Sequence, residues 1–179
     1  MKILVTGGAG YLGCIACEHF LDAGHQVTVL DNLMYGSSNL FHLCAYPNFD
    51  FVRGDVREEG LIKRLITQAD VIIPLAAIVG APACDQDPWL AESINLDSVR
   101  LINSVRSSEQ LIIYPTTNSG YGTKSGEILC TEETSLEPIS IYGQTKVQAE
   151  SLVLDSSNSI TLRLATVFGL SPRMRLDLL

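Results

Sequence analysis

Apolar and polar positions follow two different periods along this chain. Short β-rich apolar runs recur at residues 2–6, 26–31, 49–53, 70–76, 110–115 and 160–167. Stretches with helical spacing lie between most of them, at residues 11–23, 58–68, 88–107 and 142–156. Strands that alternate with helices are typical of a parallel sheet covered on both faces. The pattern therefore predicts an α/β fold with a doubly wound parallel sheet of the Rossmann type.

Composition limits the classes of protein to consider. The 179 residues suffice for one well-cored domain over 1–179 and are few for two, and 46% are hydrophobic. The net charge is −8 and the basic residues are scattered, which is unfavourable for binding a phosphate backbone. No apolar run approaches the 18 residues of a membrane span. We therefore expect neither nucleic acid nor a membrane as partner.

Cysteine and histidine spacing indicates a reduced, metal-free protein. The five cysteines form an odd, irregular set without a secretory signal, which predicts reduced thiols and a cytoplasmic location. Cys14 and Cys17 form a CxxC pair that could be redox-active, but small helix-packing residues are the better interpretation. The three histidines lack ligand spacing, so no metal site is predicted.

A glycine-rich loop, Thr6 to Gly13, stands between the first predicted strand and helix. Glycine lets the backbone approach a pyrophosphate closely, and a helix start offers free N–H groups to it. The glycine spacing fits two registers. One is Gly8-x-Gly10-x-x-Gly13, and the other is Gly7-x-x-Gly10-x-x-Gly13. Only the first is the usual dinucleotide fingerprint, and spacing alone does not choose between them.

Asp31 ends the second β-rich run, 18 positions after Gly13. An acidic residue there can hold the adenosine ribose hydroxyls and repel a 2′-phosphate, so NAD is favoured over NADP. The alternative is that Asp31 and Asn32 only open a turn. The order of strand, loop, helix, strand and acid favours nucleotide binding.

Tyr142 and Lys146 lie four apart and so share one face of a predicted helix. A free tyrosine has a pKa near ~10, and a nearby cation would lower the pKa far enough for the phenol to act as a base. Alone, the pair is more often a solvated helix face. However, the run 110–115 leads into hydroxyl-rich residues 116–122, and ligands of open α/β sheets sit at that strand end. The loop-like segment 116–141 is accordingly predicted to be functional.

These motifs together resemble the extended short-chain dehydrogenase/reductase family, the NAD-dependent nucleotide-sugar epimerases and dehydratases. The resemblance covers nearly the whole chain and rests on Thr6 to Gly13, Asp31 to Leu33, Gly54 to Arg57, Leu75 to Ala77, Thr117 to Gly122, Tyr142 to Lys146 and Arg163 to Gly169. It implies NAD as cofactor and a nucleotide-sugar as substrate. It also favours the register that begins at Gly7.

The resemblance implies a role for each matching position. Tyr142 would be the base, Lys146 its partner and a ligand of the nicotinamide ribose, and Thr117 a hydrogen-bond partner of the reacting sugar oxygen. The implied NAD contacts, besides Tyr142 and Lys146, are Gly7, Gly10, Tyr11, Leu12 and Gly13 at the pyrophosphate, Asp31 and Asn32 at the adenosine ribose, Asp55 and Val56 at the adenine, and Leu75, Ala76 and Ala77 at the nicotinamide.

Departures from the family pattern narrow the expected chemistry. Dehydratases of the family carry an Asp-Glu pair after the Thr, and decarboxylases a Glu, where this chain has Asn118 and Ser119. An epimerase that moves a hydride between a sugar carbon, expectedly C4, and NAD is therefore favoured. A net reductase and a non-catalytic NAD-sensing module are the alternatives. Pro74 replaces a frequent His and should end its strand, and Thr166 replaces a frequent Asn.

Few residues follow Gly169, whereas the family places most sugar-binding residues in a C-terminal portion of a hundred residues or more. We therefore expect a chain truncated before its substrate domain, which binds NAD and turns over weakly or not at all. The resemblance also suggests a homodimer through helices 88–107 and 142–156.

Overall fold

The protein is described by a computed structural model that covers residues 1–36, 38–124 and 129–175. Its centre is a parallel six-stranded sheet with the strand order β3-β2-β1-β4-β5-β6. The strands are β1 (Lys2–Thr6), β2 (Gln26–Asp31), β3 (Phe49–Arg53), β4 (Val71–Pro74), β5 (Leu111–Thr117) and β6 (Ser159–Leu164). This order reverses direction between β1 and β4 and confirms the predicted doubly wound fold.

Helices connect the strands and cover both faces of the sheet. The α-helices are α1 (Tyr11–Asp22), α2 (Glu59–Ile66), α3 (Ala81–Gln86), α4 (Pro88–Glu92), α5 (Ser98–Val105) and α6 (Ile141–Leu154). A π-helical turn, Ser93–Asp97, joins α4 to α5, and 3₁₀ turns lie at Ser38–Ala45 and Asn118–Tyr121. Each predicted helix exists, although the one predicted over 88–107 is interrupted by the π turn.

Local signals explain where several elements begin and end. Asp87 caps α4 by accepting a hydrogen bond from the Leu90 N–H at 2.9 Å, as the Asp-Pro pair predicts. The strand predicted over 70–76 stops at Pro74, because proline has no N–H to donate to the ladder. Asp55 and Glu58 have the spacing of a capping box, but only half of its hydrogen bonds form. The Glu58 carboxylate accepts from the Asp55 N–H, whereas the Asp55 carboxylate accepts from the Arg57 N–H.

Two hydrophobic clusters sandwich the sheet. On one face α1 and the turn Ser38–Ala45 pack on β1, β2 and β4, with Cys14 and Cys17 fully buried. On the other face α2 and the helices from α3 to α6 pack on the sheet around Leu4, Ile72 and Ile112. Both layers leave the carboxyl ends of the strands uncovered, and those ends hold the candidate site.

Candidate functional site

One cavity of about 660 Å³ opens at the carboxyl ends of β1, β2, β4 and β5. It lies at the crevice where the strand order reverses, which is the usual ligand position in open α/β sheets. The residues predicted to contact cofactor or substrate all line it: Gly7, Gly10, Tyr11, Leu12, Gly13, Asp31, Asn32, Asp55, Val56, Leu75, Ala76, Ala77, Thr117, Tyr142 and Lys146. The fold therefore gathers fifteen positions from six separate segments of sequence into one space.

The glycine loop forms one wall of the cavity. Gly7 has a φ of 72° and lies so close to the segment after β4 that an added Cβ would stand 2.6 Å from the Ala76 Cα. Gly10 caps α1 without a side-chain hydrogen bond, which leaves the N–H groups of the first helical turn available to an anion. Gly8 instead packs on the Val29 side chain and does not line the cavity. The geometry thus agrees with the register that begins at Gly7.

The carboxylate of Asp31 connects two backbone segments at the end of β2. One oxygen accepts from the Ala9 N–H at 2.9 Å and the other from the Leu33 N–H at 2.8 Å. Leu33 has a φ of 62°, an uncommon conformation for a leucine. Asp31 therefore braces the glycine loop and the following turn, and it also lines the cavity.

Asp55 lies at the end of β3 in a bidentate pair with Arg57, whose guanidinium donates at 2.9 and 2.7 Å. The hydrogen bonds from Arg57 lower the pKa of the Asp55 carboxyl. Arg57 also reaches Ser93 at 3.3 Å and lies 6.0 Å from the ring centroid of Trp89. This group ties the β3 end of the cavity to α4 and the π turn.

Asn95, in the π turn, fixes the segment after β4 and was missed from the sequence. It is 1% exposed, and its amide accepts from the Ile78 N–H at 2.8 Å and donates to the Ile78 carbonyl at 3.0 Å. A weaker contact of 3.4 Å links it to the Thr145 hydroxyl on α6. Asn95 therefore fixes Ile78, which directly follows the cavity-lining residues Leu75 to Ala77, and links it to α6. A lone asparagine in an apolar helical pattern carries no sequence signal for such a role.

Thr117 and Tyr142 meet at the far end of the cavity. Thr117 ends β5, is buried, and accepts from the Ser119 N–H at 3.1 Å. Ser140 caps α6 and so begins the helix directly before Tyr142. Burial raises the pKa of Tyr142, while a hydrogen bond with Thr117 and the charge of Arg175 act to lower it. The expectation that Lys146 lowers this pKa is wrong for the described structure.

The Lys146 ammonium contacts β5, and its charge is reduced by burial. Its ammonium donates to the Pro115 carbonyl at 2.7 Å and stands 4.0 Å from the ring centroid of Tyr114. Burial lowers the pKa of Lys146 to about 7, so much of its charge is lost near neutral pH. The lysine thus shares the cavity with Tyr142 but is held mainly by β5.

The sequence matches the model of the NAD-dependent epimerase/dehydratase family over residues 3–177. The chain belongs to this family. It is 35% identical to the uncharacterised UDP-glucose epimerase YtcB of Bacillus subtilis (strain 168), over 99% of this chain and 60% of that protein. It is 32% identical to the CDP-paratose 2-epimerase of Salmonella typhi, over 94% of this chain and 58% of that protein.

Structural similarity agrees with the family assignment. The UDP-glucuronic acid 4-epimerase from Bacillus cereus, solved with UDP-glucuronic acid and NAD, superposes with a TM-score of 0.82 at 27% identity. The alignment covers 91% of this chain and 56% of that one. The chain therefore spans somewhat more than half the length of these relatives, and members of the family include both epimerases and dehydratases.

Residues beyond the family motifs also reach the cavity. Tyr11 donates to the Gly169 carbonyl at 2.7 Å, and Ser171 donates to the Tyr11 carbonyl at 2.8 Å. These bonds draw the segment 169–175 across the glycine loop and bring Arg173 and Arg175 to the cavity wall. Neither arginine was a predicted site residue, because the contact depends on a link between residues about 160 positions apart.

The CxxC pair in α1, Cys14 and Cys17, has a structural role. Burial raises the pKa of Cys14 to about 11 and that of Cys17 to about 12, so both thiols are protonated and packed. This confirms the packing interpretation of the CxxC pair.

In the described ranges no cluster of His, Cys, Asp or Glu has the arrangement of a metal site. No helix among the described residues is long and apolar enough to cross a membrane.

Proposed function

We propose that this chain is the NAD-binding domain of a nucleotide-sugar epimerase. The observation that carries the proposal is the single cavity that combines a glycine cradle, an acidic strand end and the group Thr117, Tyr142 and Lys146. A plain nucleotide-binding module needs the first two features only. The third is the set of side chains that proton transfer at a sugar hydroxyl requires.

The cavity fits NAD at several points. The N-terminus of α1 has free N–H groups and no capping side chain, which suits a pyrophosphate. Asp31 supplies carboxylate oxygens for ribose hydroxyls and a charge that opposes a 2′-phosphate. Lys146 and Tyr142 would hold the nicotinamide ribose, and the small side chains of Ala76 and Ala77 leave room for the ring.

The chemistry follows from the hydroxyl groups at the end of β5. NAD bound in this cavity would supply the acceptor and the donor of a hydride at a sugar carbon, which we expect to be C4. Tyr142 takes the proton of the sugar hydroxyl and gives it back, and Thr117 hydrogen bonds the same oxygen. Because burial raises the pKa of Tyr142, its phenolate has to be stabilised while the sugar is oxidised. The Thr117 hydroxyl and the charge of Arg175 are the groups that lower this pKa.

Epimerisation is favoured over dehydration by the residues that follow Thr117. Elimination of water needs an additional acid and base next to the reacting carbon. Asn118 and Ser119 line the cavity here, and neither side chain titrates in the range that such chemistry uses. Activity of this chain alone is proposed to be weak or absent, since it spans just over half the length of its relatives.

The test combines binding with turnover. We expect this chain to bind NAD more tightly than NADP in calorimetric titrations. A full-length version should interconvert a nucleotide-sugar without net NADH release, and Tyr142→Phe should lose about 10²–10⁴-fold in kcat while it still binds NAD. Stoichiometric NADH release would indicate a net oxidoreductase. Tight NAD binding with no turnover of any nucleotide-sugar by the full-length protein would indicate a sensing module.

A homodimer through α4, α5 and α6 is a second, separate proposal. Trp89 on α4 is 72% exposed and Leu154 on α6 is 52% exposed. Tryptophan is enriched at subunit interfaces. Sedimentation equilibrium should then give twice the chain mass, and Trp89→Glu should reduce it to the mass of one chain.

A further inference from the structure

A buried acidic residue one helical turn after Lys146 is not explained by the reaction above. Glu150 is 2% exposed, and its Oε1 accepts from the Arg163 Nε at 2.7 Å. Its Oε2 is buried and has no hydrogen-bond partner among the described residues. A half-satisfied buried carboxylate costs stability, and an apolar residue would pack at lower cost. We therefore ask which charged group interacts with the Glu150 carboxylate besides Arg163.

Lys146 is that group. Residues four apart in α6 share one face, so Glu150 and Lys146 point to the same side of the helix. Both are buried, at 2% and 5% exposure, and water therefore screens their interaction little. Burial opposes the charge of Lys146, and Glu150 is the group that raises its pKa against this effect.

We propose that Glu150 is a positioning residue for Lys146, with its carboxylate held to β6 by Arg163 so that the lysine amine keeps more of its positive charge at the end of the cavity. Arg163 sets the strength of this interaction, because its guanidinium neutralises part of the Glu150 charge. It also donates to the Tyr121 hydroxyl at 3.2 Å, which links the pair to the segment after Thr117. The proposal rests on the proposed function for its consequence in NAD binding, but not for its electrostatics.

The other titratable groups around Lys146 act on it differently. Tyr114 of β5 offers its ring face, and burial keeps the pKa of its hydroxyl well above the usual value. Tyr142 is a neutral phenol near pH 7 for the same reason. Around Tyr142 lie the protonated Cys84 thiol of α3 and Arg175. None of these groups is an anion, so among them Glu150 supplies the negative charge.

The first experiment measures the lysine directly, without a ligand. In protein labelled with ¹³C at lysine Cε, the chain gives signals from Lys2, Lys63, Lys124 and Lys146, and Lys146→Met assigns the last. Glu150→Gln should move the Lys146 titration midpoint to lower pH by at least half a unit. Arg163→Gln should move it to higher pH, since it leaves the Glu150 charge uncompensated. Glu133→Gln, at an exposed position, is the matched control and should leave it unchanged.

Opposite shifts in the two variants are the decisive result, because both break the same ion pair. If the pair only ties α6 to β6, both variants should lose thermal stability and leave the Lys146 midpoint in place, which would overturn the proposal. Should Glu150→Gln not fold, Glu150→Asp with a smaller shift in the same direction replaces it. An unchanged midpoint in Glu150→Asp and Arg163→Gln together would overturn the proposal equally.

The second experiment follows NAD affinity against pH. Above neutrality Glu150→Gln should bind NAD several-fold more weakly than the unsubstituted chain, and the two should converge near pH 6, where the lysine is protonated in both. A loss of equal size at every pH would contradict the proposal. If the unsubstituted chain does not bind NAD, the proposed function fails, while the labelled-lysine titration still decides the role of Glu150.

Discussion

The two ends of the cavity differ in how their polar groups are satisfied. At the glycine loop, the Asp31 carboxylate accepts two backbone N–H groups, and the Asp55 carboxylate is paired with Arg57 through two bonds. Around the opposite end, on β5 and α6, the hydroxyls of Tyr114 and Thr116 and one oxygen of Glu150 are buried without a hydrogen-bond partner among the described residues, and of these three residues only Thr116 lines the cavity. We call the first the complete end, because its charged groups are paired. We call the second the displaced end, because buried polar groups lack partners there and pKa values are shifted.

The difference indicates a division of labour. Binding a pyrophosphate and a ribose needs fixed donors and acceptors, which a braced loop provides. Moving a proton needs groups whose pKa values are displaced, and displacement comes from burial and incomplete pairing. The shifted pKa values of Tyr142 and Lys146 lie at the second end. Stability is therefore expected to depend on the first end and to be reduced by the second.

Gly7→Ala should have the largest effect on stability, because it breaks the complete end. The substitution forces an L-residue to a φ of 72° and drives its Cβ against the backbone of Ala76. Strain of about 1–3 kcal/mol from the backbone adds to the steric overlap, so denaturant unfolding should show a loss of more than about 3 kcal/mol. NAD binding should be lost as well.

Gly24→Ala is the matched control for that substitution. Gly24 has nearly the same φ, 78°, but an added Cβ would meet no atom within 4 Å. Its cost should be limited to the backbone strain of about 1–3 kcal/mol, without the steric overlap. Equal losses in the two variants would mean that the approach of β1 to Ala76 is not what requires glycine at position 7.

The two ends also differ in what the sequence reveals. The glycine loop and Asp31 are local features, since a strand, a tight turn and a helix start follow one another along the chain, and their placement was predicted. The strand limits were predicted closely where proline or a polar cluster interrupts the apolar pattern, as at Pro74. Local chemistry decides these positions.

At the displaced end, the sequence identified the residues but did not predict their contacts or the direction of their pKa shifts. Tyr142, Lys146 and Thr117 were identified, yet the lysine points to the Pro115 carbonyl and the tyrosine pKa rises instead of falling. Both outcomes depend on burial, a property of the packed helix layer. Asn95 and Glu150 were missed for the same reason, because their partners lie 17 and 13 positions away in sequence and come close only in the fold.

Lys146→Met should stabilise the protein, which tests the displaced end. The folded pKa of Lys146 is about 7, below its ordinary 10.5, so between these values the unfolded chain binds a proton that the folded chain has released. Stability of the unsubstituted protein therefore rises with pH across this window. The variant escapes the cost of the buried charge, less the lost contacts with Pro115 and Tyr114, and should gain about 2 kcal/mol below pH 7.

That gain should shrink as the pH rises towards 10.5, where both states of the unsubstituted protein are neutral at this site. Urea unfolding at pH 6.5 and pH 9.5 measures the difference. Lys63→Met, at an exposed position on α2, controls for the loss of a lysine elsewhere. If the change in unfolding free energy of Lys146→Met does not depend on pH, folding does not lower the pKa of Lys146.

Asp31→Asn should have the smallest effect and sharpens the comparison at the complete end. The amide keeps an oxygen that can accept from the Ala9 or Leu33 N–H, but its NH₂ group cannot replace the second acceptor. We therefore expect a loss of about 1 kcal/mol in unfolding free energy. Removal of the negative charge should reduce the preference for NAD over NADP by about tenfold, or about 1.4 kcal/mol, in parallel titrations of the two dinucleotides. An unchanged preference would assign Asp31 to bracing the loop alone, and the discrimination against a 2′-phosphate would then have to come from the turn that follows it.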